Sequence, residues 1–179
     1  MQPMPPPQVA SFFASLPLMR TMKTTTYTNN STQTLALGEA LGARLRPGDV
    51  IALFGDLGAG KTTLTKGIAT GMGLPDDIHS PTFTLIHEHI GAVPLYHVDL
   101  YRLVSENEVE GIGIEEYIYG RGVTVIEWAD RMTSILPPQR LDIVIKMTGD
   151  ETREFTFETG SARLWAIVKE LIGHADTGD

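Results

Sequence analysis

The sequence predicts a three-layer α/β domain with a mixed, partly antiparallel sheet. Three observations carry this expectation. The runs DVIALF (49–54) and VTVIE (123–127) are continuously apolar and rich in β-formers, as in strands buried on both faces. Segments with helical apolar periodicity lie between and beside them. Two pairs of strand-like segments are joined by links too short for a parallel crossover, which favours antiparallel hairpins.

Taken in order, residues 30–45 read as a helix. Asn30 or Ser31 can cap it, Gln33 sits at the capping-box offset from Asn30, and Leu37, Ala40, Leu41 and Leu45 form an apolar face. RPGD breaks the chain before the first buried strand. A glycine-rich loop follows, then a helix from about Lys61 that stops near Gly71. Residues 72–81 read as loop. TFTLIHEH (82–89) and VPLYHVD (93–99) form the first expected hairpin, linked near Gly91. SENE (105–108) fits a capping box opening a helical stretch toward Tyr119, interrupted by Gly111 and Gly113. After VTVIE, LDIVIKM and REFTFET alternate around a TGDE turn as a second hairpin. Ser161 can cap a last helix to Ile172.

The 179 residues amount to one domain, expected over 25–179. Residues 1–24 differ in composition. MQPMPPPQ is proline-rich, and the short apolar run after it is broken by Pro17 and preceded by no basic residue, unlike a secretory signal. The expectation is a disordered tail, or a true start at Met19 or Met22. There is no cysteine and no apolar run near 18 residues, so disulfides, thiolate metal sites and membrane-spanning helices are not expected, and the cytoplasm is the expected compartment. The net charge of −8 argues against stand-alone nucleic-acid binding, because Lys and Arg supply most non-specific affinity.

Gly55-Asp56-Leu57-Gly58-Ala59-Gly60-Lys61-Thr62 matches G-x-x-x-x-G-K-[ST] in full, between a buried strand and a helix. Glycines let the backbone N–H groups turn inward around a phosphate, and the helix start adds positive partial charge. The match makes the domain P-loop NTPase-like. Lys61 is expected at the β- and γ-phosphates, Thr62 Oγ on Mg²⁺ and Thr63 near the α-phosphate.

Such a site needs a carboxylate at a neighbouring strand end. Glu127 ends VTVIE and has the stronger pattern, as metal ligand and as the group orienting water. Asp99 ends YHVD, with an ion pair to Arg102 as a rival role. SPTFT (80–84) lies where switch proteins sense the γ-phosphate, which makes Thr82 the expected sensor, against an ordinary proline turn. His79, His87, His89 and His97 raise the question of a metal site, but only His87 and His89 share a strand face by alternation, nothing else has zinc-ligand spacing, and a solvated strand face is the better reading. Trp128 reads equally as a nucleotide neighbour, a partner contact or core.

GDLGAGKTTL, SPTFTLIHE, YHVDLYRL, GIEEY and VIEWADR stand in this order, and together they closely resemble the TsaE family, small bacterial ATPases of tRNA threonylcarbamoyladenosine biosynthesis. The resemblance covers about residues 30–160. It includes TLALGEALG, where Thr34 is the matching polar position, near the nucleotide base. One departure is Ala129 after Trp128, where the family usually has proline. The resemblance implies ATP and Mg²⁺ as cofactors and slow hydrolysis. It implies association with the TsaB and TsaD subunits of the threonylcarbamoyl transferase, with tRNA met only indirectly, and hydrolysis supporting that complex's repeated turnover. The nucleotide set is then Thr34 and residues 55–63, the metal ligands Thr62 and Glu127, and the catalytic set Lys61, Glu127, Asp99 and Thr82.

Other classes stay in view. A small-molecule P-loop kinase needs an acceptor pocket and a lid carrying arginines, and no Arg-rich insertion occurs. A GTPase would carry N-K-x-D, which is absent. A module that binds ATP without hydrolysing it has the same loop. No arginine finger is evident in the pattern, so turnover by the isolated chain is expected to be slow.

Overall fold

The computed structural model describes residues 21–75 and 84–175. Seven strands form one sheet: β1 (Met22–Thr28), β2 (Val50–Phe54), β3 (Ile86–His89), β4 (Leu95–Asp99), β5 (Val123–Glu127), β6 (Leu141–Met147) and β7 (Arg153–Thr159). Their order is β1-β7-β6-β2-β5-β4-β3. β6, β2, β5 and β4 run parallel in the centre; β3 pairs antiparallel with β4 on one side, and on the other β7 pairs antiparallel with both β6 and β1. β2 therefore has β6 on one flank and β5 on the other, a topological switch point, where open α/β sheets place ligands beyond the strand ends.

Strand alternation builds the three layers. Ile51 and Leu53 of β2 point to one face and pack with Leu64, Ile68, Phe155, Phe157 and Val168. Val50 and Ala52 point to the other, against Val98, Leu100, Ile114, Ile126 and Met132. The first face is covered by α1 (Ser31–Gly42), α2 (Lys61–Gly71) and the last helix, Ala162–Ala175; the second by α3 (Glu106–Gly111), α4 (Glu115–Ile118) and a 3₁₀ turn, Ala129–Met132. The last helix is α5 in chain order. None of the helices among the described residues is long and apolar enough to cross a membrane.

The predicted fold class and both hairpins are present, with corrected boundaries. Asn30 caps α1 by accepting from the Gln33 N–H (2.9 Å), but the helix ends at Gly42, not 45. β3 starts at Ile86, because Leu85 has φ +64°, outside strand geometry. β4 starts at Leu95 rather than 93. The stretch toward Tyr119 is two short helices, because Gly113 turns left-handed between them (φ +70°). α5 continues to Ala175. β1 had no counterpart in the sequence reading, and its first residues, 22–24, fall in the segment read as tail. It is an edge strand of Met, Lys, Thr and Tyr whose seven residues all pair with β7, while only Thr28 is buried. Residues 1–20 lie outside the described residues.

Helices α1 and α2 meet through four glycines. Gly38 and Gly42 of α1 face Leu64, Gly67 and Ile68; Gly67 and Gly71 of α2 face Leu35, Gly38 and Glu39. A Cβ at any of the four would overlap a backbone carbonyl oxygen, and backbone cannot swing aside as a side chain can. Each glycine costs its helix about 1 kcal/mol in propensity, which close packing offsets.

This contrast is testable by thermal melting. Gly42→Ala should destabilise by about 1–3 kcal/mol through overpacking despite its propensity gain. Gly173→Ala, where an added Cβ meets nothing within 4 Å, should stabilise by about 0.5–1 kcal/mol. Equal effects at the two positions would refute the role assigned to the α1–α2 glycines.

Candidate functional site

The loop between β2 and α2 bends where glycine alone bends cheaply. Gly55, Gly58 and Gly60 have φ of +146°, +77° and +109°. Gly55 also lies against the Ile145 carbonyl of β6, where a Cβ would collide. Asp56, Leu57 and Gly58 are exposed, and Ala59 is buried.

Lys61 is 4% exposed, and its Nζ donates to the carbonyls of Gly55 (2.6 Å) and Asp56 (2.9 Å). Its ammonium also lies 3.7 Å from the centroid of the Trp128 ring, a cation–π distance. Burial lowers the Lys61 pKa from its ordinary value, while the charges of Glu127, Asp99, Asp130 and Asp56 act to raise it. Trp128 follows β5 in left-handed conformation (φ +60°), and Tyr101 lies 4.9 Å from it, centroid to centroid. The indole is half-buried at the rim of the site, beside the P-loop lysine.

Glu127 ends β5, one register step beyond Ile126 and directly beside Leu53 of β2 and Asp99 of β4. It is 2% exposed. The Thr62 hydroxyl donates to Glu127 Oε2 (2.9 Å), His97 Nε2 lies 2.8 Å from Oε1, and the Thr65 hydroxyl, which donates to the Lys61 carbonyl (3.0 Å), stands 3.5 Å from Oε1. Asp99 is 3% exposed and accepts from the Tyr101 N–H (3.0 Å) through Oδ1. Both strand-end acids thus border one cavity of about 310 Å³, together with Lys61, Thr62, Tyr101 and Trp128.

A second cavity of about 220 Å³ shares Gly58, Gly60 and Thr63 with the first and adds Ser31, Thr34 and Arg153. Thr34 is buried; its hydroxyl donates to the Asn30 carbonyl (3.3 Å) and shares a hydrogen bond with Thr28 (2.9 Å). Close α1–α2 packing brings it beside the loop. Thr82 and His79 lie outside the described residues.

The sequence assigns His97, with the other histidines, to a solvated strand face and gives Arg153 no role; the structure changes both. His97 is fully buried against Glu127, whereas His87 is exposed and His89 half-buried. Its signal was available: H-x-D places His97 and Asp99 on the same strand face. Arg153 is the other. Its Nε donates to the Ala59 carbonyl (3.0 Å) and Nη2 to that of Gly58 (3.4 Å), while Nη1 donates to the carbonyls of Gly149, Asp150 and Thr152 (2.9–3.2 Å). It ties the β6–β7 turn to the apex of the loop, and no local pattern marks a contact across 94 residues.

Chemically, the cavity is lined by the Lys61 ammonium, the Thr62 and Thr63 side chains and the carboxylates of Asp99 and Glu127. Thr62 Oγ1 and Glu127 Oε2 are hard oxygen donors that converge, which suits Mg²⁺. Among the described residues no three His, Asp or Glu side chains gather as a metal cage, and Mg²⁺ at phosphate sites draws its remaining ligands from phosphate and water.

Known proteins resemble this chain along most of its length. The family model "Threonylcarbamoyl adenosine biosynthesis protein TsaE" matches residues 28–155. A protein of Bacillus subtilis strain 168, "tRNA threonylcarbamoyladenosine biosynthesis protein TsaE", is 47% identical over 148 residues, covering 82% of this chain and 92% of the relative. One of the same name from Treponema pallidum is 44% identical over 119 residues, covering 66% and 88%. The crystal structure of Bacillus subtilis YdiB superposes with a TM-score of 0.71 at 42% identity, over 87% of this chain and 97% of that one.

Arg153→Ala should loosen the loop locally. Amide exchange of residues 58–60 and 149–152 should speed up by about tenfold or more, as a charge-assisted clamp of about 1.5–3 kcal/mol is lost. Unchanged exchange in both segments would show the clamp to be idle.

Proposed function

The chain belongs to the TsaE family, whose role lies in tRNA threonylcarbamoyladenosine biosynthesis, and from that premise we propose that it is the Mg²⁺-dependent ATP-binding and ATP-hydrolysing subunit of this modification. The observation that carries the proposal is the part-buried hydrogen bond between Thr62 of the glycine loop and the buried Glu127 at the end of β5. A glycine loop alone binds phosphate. A loop whose Thr meets a buried strand-end acid has the parts for a cation and a water as well.

In this reading Thr62 and Glu127 would hold Mg²⁺, which when bound would supply positive charge to stabilise the transferring phosphoryl group. Residues 55–63 surround the triphosphate with backbone N–H donors. Lys61 exchanges its loop carbonyls for phosphate oxygens and stabilises charge on the transferring phosphoryl group. Glu127, with Asp99 beside it, orients the attacking water. Thr34 borders the cavity that would take the nucleoside, and Thr82 is the proposed γ-phosphate sensor. The Arg153 guanidinium is engaged by five carbonyls, which fits slow turnover by the chain alone.

The proposed partners are TsaB and TsaD, as the family resemblance implies, with tRNA held by them rather than by this acidic chain. The proposed compartment is the cytoplasm.

Phosphate release from ATP, with and without the purified TsaB–TsaD pair, tests the reading. Release by the chain alone should be slow and should rise with the pair. Lys61→Ala should abolish the rise, losing about 10²-fold or more. Glu127→Ala should bind nucleotide but lose turnover. Normal turnover in Glu127→Ala would transfer the catalytic role to Asp99. Absence of stimulation, with no complex on a sizing column, would return the small-molecule kinase as the working hypothesis.

A further inference from the structure

His97 has no part in the chemistry described above, yet its burial is costly. The imidazole is fully buried on β4, and among the described residues its Nδ1 meets no hydrogen-bond partner. An unsatisfied buried nitrogen costs about 1–3 kcal/mol, which an apolar side chain of similar volume would avoid. Packing alone therefore does not account for a histidine here. The side-chain hydrogen-bond contact that it makes among the described residues, 2.8 Å from Nε2 to Glu127 Oε1, does.

The terminal torsion of a glutamate is broad, so a carboxylate is oriented by its partners rather than by its rotamer. On Oε2 the partner is Thr62, itself expected to turn to the cation and nucleotide. On Oε1 the candidates are Thr65 at 3.5 Å and His97 at 2.8 Å. The Thr65 distance is at the limit of a hydrogen bond, and that hydroxyl already donates to the Lys61 carbonyl. His97 is the short contact. Its backbone is held on both sides, paired with His87 of β3 and Val125 of β5, so the ring stands on rigid sheet.

We propose that His97 is the positioning residue of the acidic centre: it donates its Nε2–H to Glu127 Oε1 and keeps Oε2 turned toward Thr62 and the cation position. The inference rests on the reading of Glu127 and Thr62 as the Mg²⁺-holding pair. Partners that orient a metal-binding carboxylate change metal affinity by about 10–100-fold when removed. His97→Leu removes the donor and keeps an apolar body. His97→Gln keeps an N–H donor on a side chain of comparable reach.

Two readouts test it. In the first, ADP affinity is measured by calorimetry in EDTA and across a Mg²⁺ titration, with thermal melts confirming that each variant is folded. Both variants should bind ADP in EDTA as the wild type does. His97→Leu should need about tenfold more Mg²⁺ for its half-maximal effect, and His97→Gln should recover most of that loss. A folded His97→Leu variant with wild-type Mg²⁺ dependence would overturn the proposal, as would a folded His97→Gln variant that recovers nothing. In the second readout, nitrogen-15 spectra of the nucleotide-free protein identify the imidazole tautomer. An Nε2–H proton is expected; an Nδ1–H tautomer would overturn the proposal. Wild-type protein that binds no ADP, indistinguishable from Lys61→Ala, would instead sink the nucleotide reading, and the tautomer would still decide His97.

Discussion

A carboxylate at 2% exposure is the constraint around which this domain is arranged. Moving such a group out of water costs several kcal/mol unless its oxygens are hydrogen-bonded. Glu127 draws its neighbours from two elements, Thr62 and Thr65 on α2 and His97 on β4. They meet only if α2 starts at a set distance from the end of β5. The register of β2 beside β5, with Leu53 opposite Glu127, and the six residues between Phe54 and Lys61 set that distance. The phosphate loop and the acid are therefore one unit, and each presupposes the other.

The loop is held from outside as well as from within. The loop's carbonyls find partners on both sides. Lys61 takes two of them at the start of the loop, and Arg153 takes two at its apex. The glycine contacts between α1 and α2 then fix the helix that the loop feeds, and bring Thr34 to its side. Neither Arg153 nor the helix glycines belong to the phosphate motif. Both make its shape the resting shape rather than one of many.

Trp128 shows a local cost accepted at the site. A left-handed conformation costs a non-glycine residue about 1–2 kcal/mol. The turn ends β5 at Glu127 and lays the indole over Lys61 and against Tyr101, two contacts that offset the cost. The ring thus borders the cavity that both acids also line.

The sequence by itself determined the local chemistry: the glycine loop between a buried strand and a helix, the acids at two strand ends, both hairpins and the three-layer class. These are legible because each depends on residues close in the chain, through turn geometry, side-chain period and strand burial. Only the tertiary structure decided what lies across the chain. β1 carries no apolar alternation, because an edge strand gains its place from pairing with β7 rather than from burial. The helix ends at 42 and 111 follow from packing and from one left-handed glycine, Gly113. The histidine behind Glu127, the arginine over the loop and the union of Asp99 with Glu127 in one cavity all join residues 28 or more positions apart. Local periodicity carries no information about such contacts, because sheet order, not sequence spacing, brings those side chains together.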